Sequence, residues 1–106
     1  MVARGDIWLV NLDPTASSEI RKQRPCAVVS PAEMLDHLRT VLVAPMTTKS
    51  RPAPFRIAVT HAGKKGLILL DQIRAVDKAR LVKKTGSLSV KTLDATLETL
   101  REVFAD

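Results

Sequence analysis

Thr40-Val41-Leu42-Val43-Ala44-Pro45-Met46-Thr47-Thr48-Lys49-Ser50-Arg51 is the stretch on which the reading of the chain turns. Its first five residues are β-branched and aliphatic, a run of the length and composition of a buried strand. Pro45 is expected to stop that strand, because it brings no backbone N–H to a ladder. Met46 to Pro54 then reads as a loop of hydroxyls, cations and prolines leaving the end of a central strand.

Working outward toward the N-terminus, Cys26-Ala27-Val28-Val29-Ser30 is a second short apolar strand, entered through Pro25. Before it lies a polar, basic segment from Glu19 to Arg24, and before that the turn chemistry of Asp13-Pro14-Thr15-Ala16-Ser17-Ser18. Ile7 to Leu12 alternates weakly and is rich in β-formers. Ser30-Pro31-Ala32-Glu33 has the order of a capping box, which predicts a short helix from Pro31 to about Leu38.

Toward the C-terminus, Phe55-Arg56-Ile57-Ala58-Val59 alternates with its apolar residues on one face. Gly63-Lys64-Lys65-Gly66 reads as a turn. Leu67-Ile68-Leu69-Leu70 is a fully apolar strand that Ile73-Arg74-Ala75-Val76 continues. Asp77 suits the cap of one helical turn, and Leu81 to Leu88 is a weak strand broken at Gly86. The period then changes: Leu93, Leu97, Leu100 and Phe104 share one helical face, with Ser89 as the cap. Many short strands and one closing helix predict an α+β domain, a small curved sheet or barrel with a helix packed on it.

Composition narrows the function. At 106 residues the chain is expected to be a single domain, residues 1–106, and at 45% hydrophobic and 26% charged it is globular. Lys and Arg total 17 against 11 Asp and Glu, a net charge of +6, which favours polyanions or an acidic protein partner. No apolar run approaches the ~20 residues that span a bilayer, and no amphipathic basic helix is evident to hold a membrane surface, so no membrane association is expected. Gly5-Asp6 interrupts the N-terminus before a signal peptide could form. Cys26 is the single cysteine, which excludes an intramolecular disulfide and a thiolate zinc site, and a cytoplasmic location is expected. The aromatics are Trp8, Phe55 and Phe104 alone, too few for a sheet that stacks bases, so nucleic-acid contacts would rest on charge and hydrogen bonds.

His37 and His61 are read as solvated surface residues, and neither a histidine acid–base site nor a zinc site is expected. Asp13 and Asp71 read as turn caps at strand ends. Two segments carry more: Glu19-Ile20-Arg21-Lys22-Gln23-Arg24-Pro25 and Pro45-Met46-Thr47-Thr48-Lys49-Ser50-Arg51. Each alone is as compatible with a solvated polar loop as with a site. If their strands are neighbours, a guanidinium and a hydroxyl stand over one sheet end, a pairing suited to phosphate. RNA supplies its own nucleophile, the 2′-hydroxyl, so a site need only align it, accept its proton and stabilise the charged phosphorane.

The sequence resembles the MazF/PemK/Kid family of toxin endoribonucleases over almost its whole length. Arg4-Gly5-Asp6-Ile7-Trp8-Leu9-Val10-Asn11-Leu12-Asp13-Pro14-Thr15 is similar to the family's first strand and loop, and Ser18-Glu19 followed by Arg24-Pro25 to its S-E-Q-x-G-x-R-P motif. Pro45-Met46-Thr47-Thr48 is similar to its P-x-T strand end, and Asp71-Gln72-Ile73-Arg74 to its D-Q-I/V-R segment. The resemblance implies an SH3-like curved antiparallel β-barrel of the PemK/CcdB type with a C-terminal helix. It also implies a homodimer held in check by a cognate acidic antitoxin, and cofactor-free, metal-independent cleavage of single-stranded RNA.

By that resemblance Arg24, Thr47 and Glu19 are the catalytic residues. Glu19 is the candidate proton acceptor, and Thr47 is read as a hydrogen-bond donor because a free hydroxyl is a poor base. Arg21, Lys22, Lys49, Arg51 and Arg56 flank the proposed site. With Gln23, Thr48, Asp71 and Gln72 of the matched motifs, they are expected to contact RNA. Ser17 and Lys22 stand where the family has glycines, and Ile20 where it has Gln. Ser18 replaces a His and Leu69 an Arg found in some members, so a mechanism using those groups does not operate here unchanged. A relative of the same fold poisons DNA gyrase through a Trp-Gly-Ile terminus; this chain ends Val103-Phe104-Ala105-Asp106 and keeps Arg24 and Thr47, which favours the ribonuclease. A nucleic-acid-binding module without catalysis is the third reading.

Overall fold

The computed structural model describes residues 1–12 and 23–106. Among them, seven strands run β1 (Asp6–Asn11), β2 (Gln23–Val28), β3 (Thr40–Thr47), β4 (Arg56–His61), β5 (Lys64–Leu69), β6 (Arg74–Asp77) and β7 (Leu81–Ser87). A short helix α1 (Ala32–His37) joins β2 to β3, and α2 (Val90–Val103) follows β7. Every pairing is antiparallel, in the order β4-β5-β3-β2-β1-β7, with β6 also on β3. The sheet curls into a half-barrel with the C-terminal helix packed against it, as expected.

β3 is the pivot because one of its edges changes partner. Thr40 to Val43 pairs with β6, then Met46 and Thr47 pair with β5, while the other edge holds β2. Pro45 therefore does not end the strand. It lies between the two partners, where a missing N–H removes little from that edge.

The same curl explains why the central strands read as unbroken apolar runs. Val41 and Val43 face a core with Val10, Cys26, Val28, Leu35 and Val76. Ala44 and Met46 face a second core with Ile7, Ala27, Ile68 and Leu70. The middle of the sheet is buried on both faces, so period-two alternation disappears. Leu35 of α1 closes the first core, and Leu100 of α2 packs on the second.

Several local expectations are corrected. Ser30 does not cap α1; Pro31 holds that position without a side-chain bond. The Ser30 hydroxyl is buried and accepts from the Leu42 N–H, tying the helix entry to β3. The β4–β5 turn is Ala62-Gly63, both with positive φ (53° and 77°), the geometry of a two-residue hairpin; Gly66 lies within β5. Gly86 does not break β7. Instead β7 bulges at two points against β1, with Thr85 and Val82 outside the paired register. Ile73 starts no continuation of β5, because a 3₁₀ turn at Leu70–Gln72 intervenes before β6.

The caps read at Asp77 and Ser89 are present: Asp77 accepts from the Ala79 N–H and Ser89 from the Thr92 N–H. Phe104, predicted on the packed face of α2, is instead its C-cap and is 74% exposed; Thr96 is the fully buried position of the helix.

Candidate active site

Arg24 and Thr47 reach one place from adjoining strands. β2 and β3 pair at Cys26↔Pro45, and carrying that register two residues on sets Arg24 against Thr47. The two residues form a ridge between two hollows and line both. The larger, about 540 Å³, runs from Arg24 and Thr47 over Val59 and His61 to Lys64. The smaller, about 410 Å³, holds Ser50, Gln72 and Arg74. No Asp or Glu among the described residues lines either hollow, while Arg24, Lys49, Lys64 and Arg74 do. Such a one-signed cleft concentrates polyanions.

Backbone geometry fixes Thr47. The Lys49 N–H donates to Thr47 Oγ1 at 3.1 Å, so that oxygen already accepts a bond and its own hydrogen remains to be given to a ligand. Behind it, a Cβ placed on Gly66 would lie 2.6 Å from the Thr47 carbonyl oxygen. Only a residue without a side chain lets β5 seat this close to the end of β3.

Arg24 stands over Cys26, whose thiol bonds the Arg24 carbonyl at 3.6 Å. Burial pushes that thiol up to about 12, against the opposing charges of Arg24 and Arg74. Cys26 is fully buried and has no nucleophilic role.

The predicted contact residues fall into three groups. Gln23, Thr48 and Lys49 line the larger hollow with Arg24 and Thr47, and Gln72 lines the smaller. Arg51, Arg56 and Asp71 lie apart and line neither hollow: the Arg56 guanidinium forks onto Asp71 at 3.2 and 3.3 Å and also donates to the Arg51 carbonyl. The hydrogen bond from Arg56 holds the Asp71 carboxyl below the usual carboxylate range. Glu19, Arg21 and Lys22 lie outside the described residues.

Sequence reasoning left four polar lining residues out of the site: Ser50, His61, Lys64 and Arg74. Arg74 sits in the matched D-Q-I-R segment. His61, read as a solvated surface residue, is half-buried, and its signal was the alternation of β4, in which Ile57, Val59 and His61 share the more buried face.

Comparison with known proteins gives the family. Residues 3–104 match the family described as PemK-like, MazF-like toxin of type II toxin–antitoxin system. Endoribonuclease PemK of Escherichia coli is 40% identical over 83 residues, covering 73% of this chain; the match spans 62% of that protein's length. Endoribonuclease toxin MazF of Escherichia coli K12 is 32% identical over 90 residues, 84% of this chain and 81% of MazF. Among solved structures, an endoribonuclease in complex with its cognate antitoxin from a mycobacterial species superposes with a TM-score of 0.80 at 20% identity, covering 96% of this chain and 93% of that one. The chain belongs to the PemK-like, MazF-like toxins of type II toxin–antitoxin systems.

Proposed function

We propose that the protein is an endoribonuclease that cleaves single-stranded RNA by attack of the 2′-hydroxyl on the adjacent phosphorus. The observation that carries the reading is the Arg24–Thr47 ridge shared by two cationic hollows. A phosphate seated on the ridge leaves its flanking nucleotides one hollow each. Arg24 offers a bidentate fork to the non-bridging oxygens as charge grows on the phosphorane. Thr47 donates its free hydroxyl hydrogen to the same group. Among the described residues no three His, Cys, Asp or Glu side chains come together, so the proposal assigns the charge to Arg24 rather than to a metal ion. The products of such a step carry a 2′,3′-cyclic phosphate, or the 3′-phosphate it opens to, and a 5′-hydroxyl.

The reading includes a homodimer with two equivalent grooves, as two-fold symmetry requires. It also includes an antitoxin whose acidic, flexible segment orders across the basic groove and competes with RNA there. Incubating the pure protein with mixed-sequence RNA in EDTA tests the function. Discrete fragments with 5′-hydroxyl ends support it. Intact RNA bound by the protein would indicate the non-catalytic module, and intact RNA with inhibited gyrase the other toxin chemistry.

A further inference from the structure

The smaller hollow beside the ridge is walled by segments far apart in the sequence. Ser50 comes from the connection after β3, Leu69 from the end of β5, and Gln72 from the 3₁₀ turn that follows. Ser50 and Gln72 both lie outside the strands, so ladder hydrogen bonds do not by themselves set the gap between them. A hydroxyl on one wall and an amide on the other can match the donors and acceptors of a base edge. They discriminate between bases only if the gap is fixed, because a wall that drifts leaves no wrong base unpaired.

One side chain joins the two walls. Arg56 opens β4 and pairs with Leu69. Its Nε and one terminal nitrogen fork onto the two carboxylate oxygens of Asp71 at 3.3 and 3.2 Å, and the other terminal nitrogen donates to the Arg51 carbonyl at 3.0 Å. Asp71 precedes Gln72 and Arg51 follows Ser50, so each tie ends one peptide unit, about 3.8 Å, from a lining residue. The guanidinium carbon stands 5.7 Å from the centre of the Phe55 ring, and the Phe55 carbonyl accepts from the Leu70 N–H at 3.2 Å, linking the same two segments again. All three guanidinium nitrogens donate within the protein. Only a planar fork serves both walls at once; a lysine is a point charge.

We propose that Arg56 is a positioning residue that braces the two walls of the smaller hollow and thereby sets the base preference for the nucleotide lodged there, an inference that rests on the ribonuclease reading above. Arg56 acts through Asp71 on the Gln72 wall and through the Arg51 carbonyl on the Ser50 wall. It touches neither RNA nor the ridge, and it lines neither hollow. The brace is open to solvent, so it adds little to the stability of the fold; its effect lies in which bases the hollow accepts.

The test is single-turnover cleavage of an RNA with a mapped cut site and of variants that differ from it by one base on either side of the cut. The maximal rate and the half-saturating protein concentration are read for each. The wild-type protein should prefer one base at one of these positions. Arg56→Gln should lower that preference by about 10-fold, within the range of coupling inside one hydrogen-bond network, and mainly through the half-saturating concentration. Asp71→Ala should relax the same position, and the double variant should relax it no further than Arg56→Gln alone. The melting temperature should barely move. Arg101→Ala, which breaks the exposed Arg101–Glu98 pair on α2, should leave the preference intact. Wild-type preference in Arg56→Gln, an equal loss for every base, or indifference of the wild-type protein to both positions would overturn the proposal and leave the ribonuclease reading standing. Absence of cleavage by the unaltered protein would remove both.

Discussion

Adding one methyl group at Gly66 tests whether the close seating of β5 on β3 sets the catalytic geometry. The new Cβ would lie 2.6 Å from the Thr47 carbonyl oxygen and 3.2 Å from its carbon, against ordinary contact from 3.4 Å, so about 0.8 Å must be found. Neither neighbour is the end of a flexible side chain; both are backbone. The strands have to part at the Thr47↔Leu67 pair, and Thr47 moves with them. Overpacking of this kind costs about 1–3 kcal/mol of stability. For a domain of this size that lowers Tm by several degrees, at roughly 4–8 °C per kcal/mol. A misplacement near 1 Å at a reacting group costs on the order of 10²-fold in rate. Gly66→Ala should therefore cleave about 10²-fold more slowly in single turnover while still binding RNA. Val76→Ala is the control. It opens a cavity in the first core, away from the ridge, and should lose stability with little change in rate. Gly66→Ala at the wild-type rate, or an equal loss of rate in Val76→Ala, would refute the argument.

Other perturbations separate the roles around the ridge. Arg24→Ala should lower the cleavage rate by about 10²–10³ or more with the fold intact by circular dichroism. Thr47→Ala should also be slow, and Thr48→Ala milder, since the bond from the Lys49 N–H orients Thr47 alone. Lys49→Ala should weaken binding of all RNA sequences alike and flatten the salt dependence of affinity, read by fluorescence anisotropy across a salt series. The Arg56–Asp71 pair should contribute only about 0.2–1 kcal/mol in a double-mutant cycle, because it is solvent-exposed. Asp71 has a lowered folded value, so that contribution is complete above the ordinary carboxylate range and fades as pH falls through the lowered value. A pair whose contribution persists in strong acid would contradict this.

The sheet was legible in the sequence wherever burial dominated. Val41 to Ala44, Cys26 to Val28 and Leu67 to Leu69 announced themselves as strands because both faces of the sheet centre are covered. Ser89 and Asp77 were legible as caps because a cap depends on one side chain and the nearest amides. What escaped depends on partners far along the chain. Pro45 looked like a strand end because nothing local reveals that β3 changes partner there. Ser30 has a capping sequence, but its hydroxyl is claimed by Leu42 across the β2–β3 connection. In the site, Arg24 and Thr47 followed from motif spacing and stand opposed by register. Arg56 looked like a free cation until Asp71, distant in sequence, was brought beside it. His61 looked solvated because its neighbours in sequence are small and polar; its ring is enclosed by Thr85 and Gly86 from the other end of the sheet.

The central claim is that the RNA supplies the nucleophile and the ridge of Arg24 and Thr47 handles the phosphate. It is tested most directly by one pair of oligonucleotides, identical except for a single 2′-deoxy residue on the 5′ side of the mapped cut. In EDTA the all-ribose strand should be cut to a 5′-hydroxyl product and a fragment ending in a cyclic or 3′-phosphate, and the 2′-deoxy strand should stay whole at that site. Cleavage of the 2′-deoxy strand at the same position, or failure of the folded protein to cut the all-ribose strand, would contradict the account.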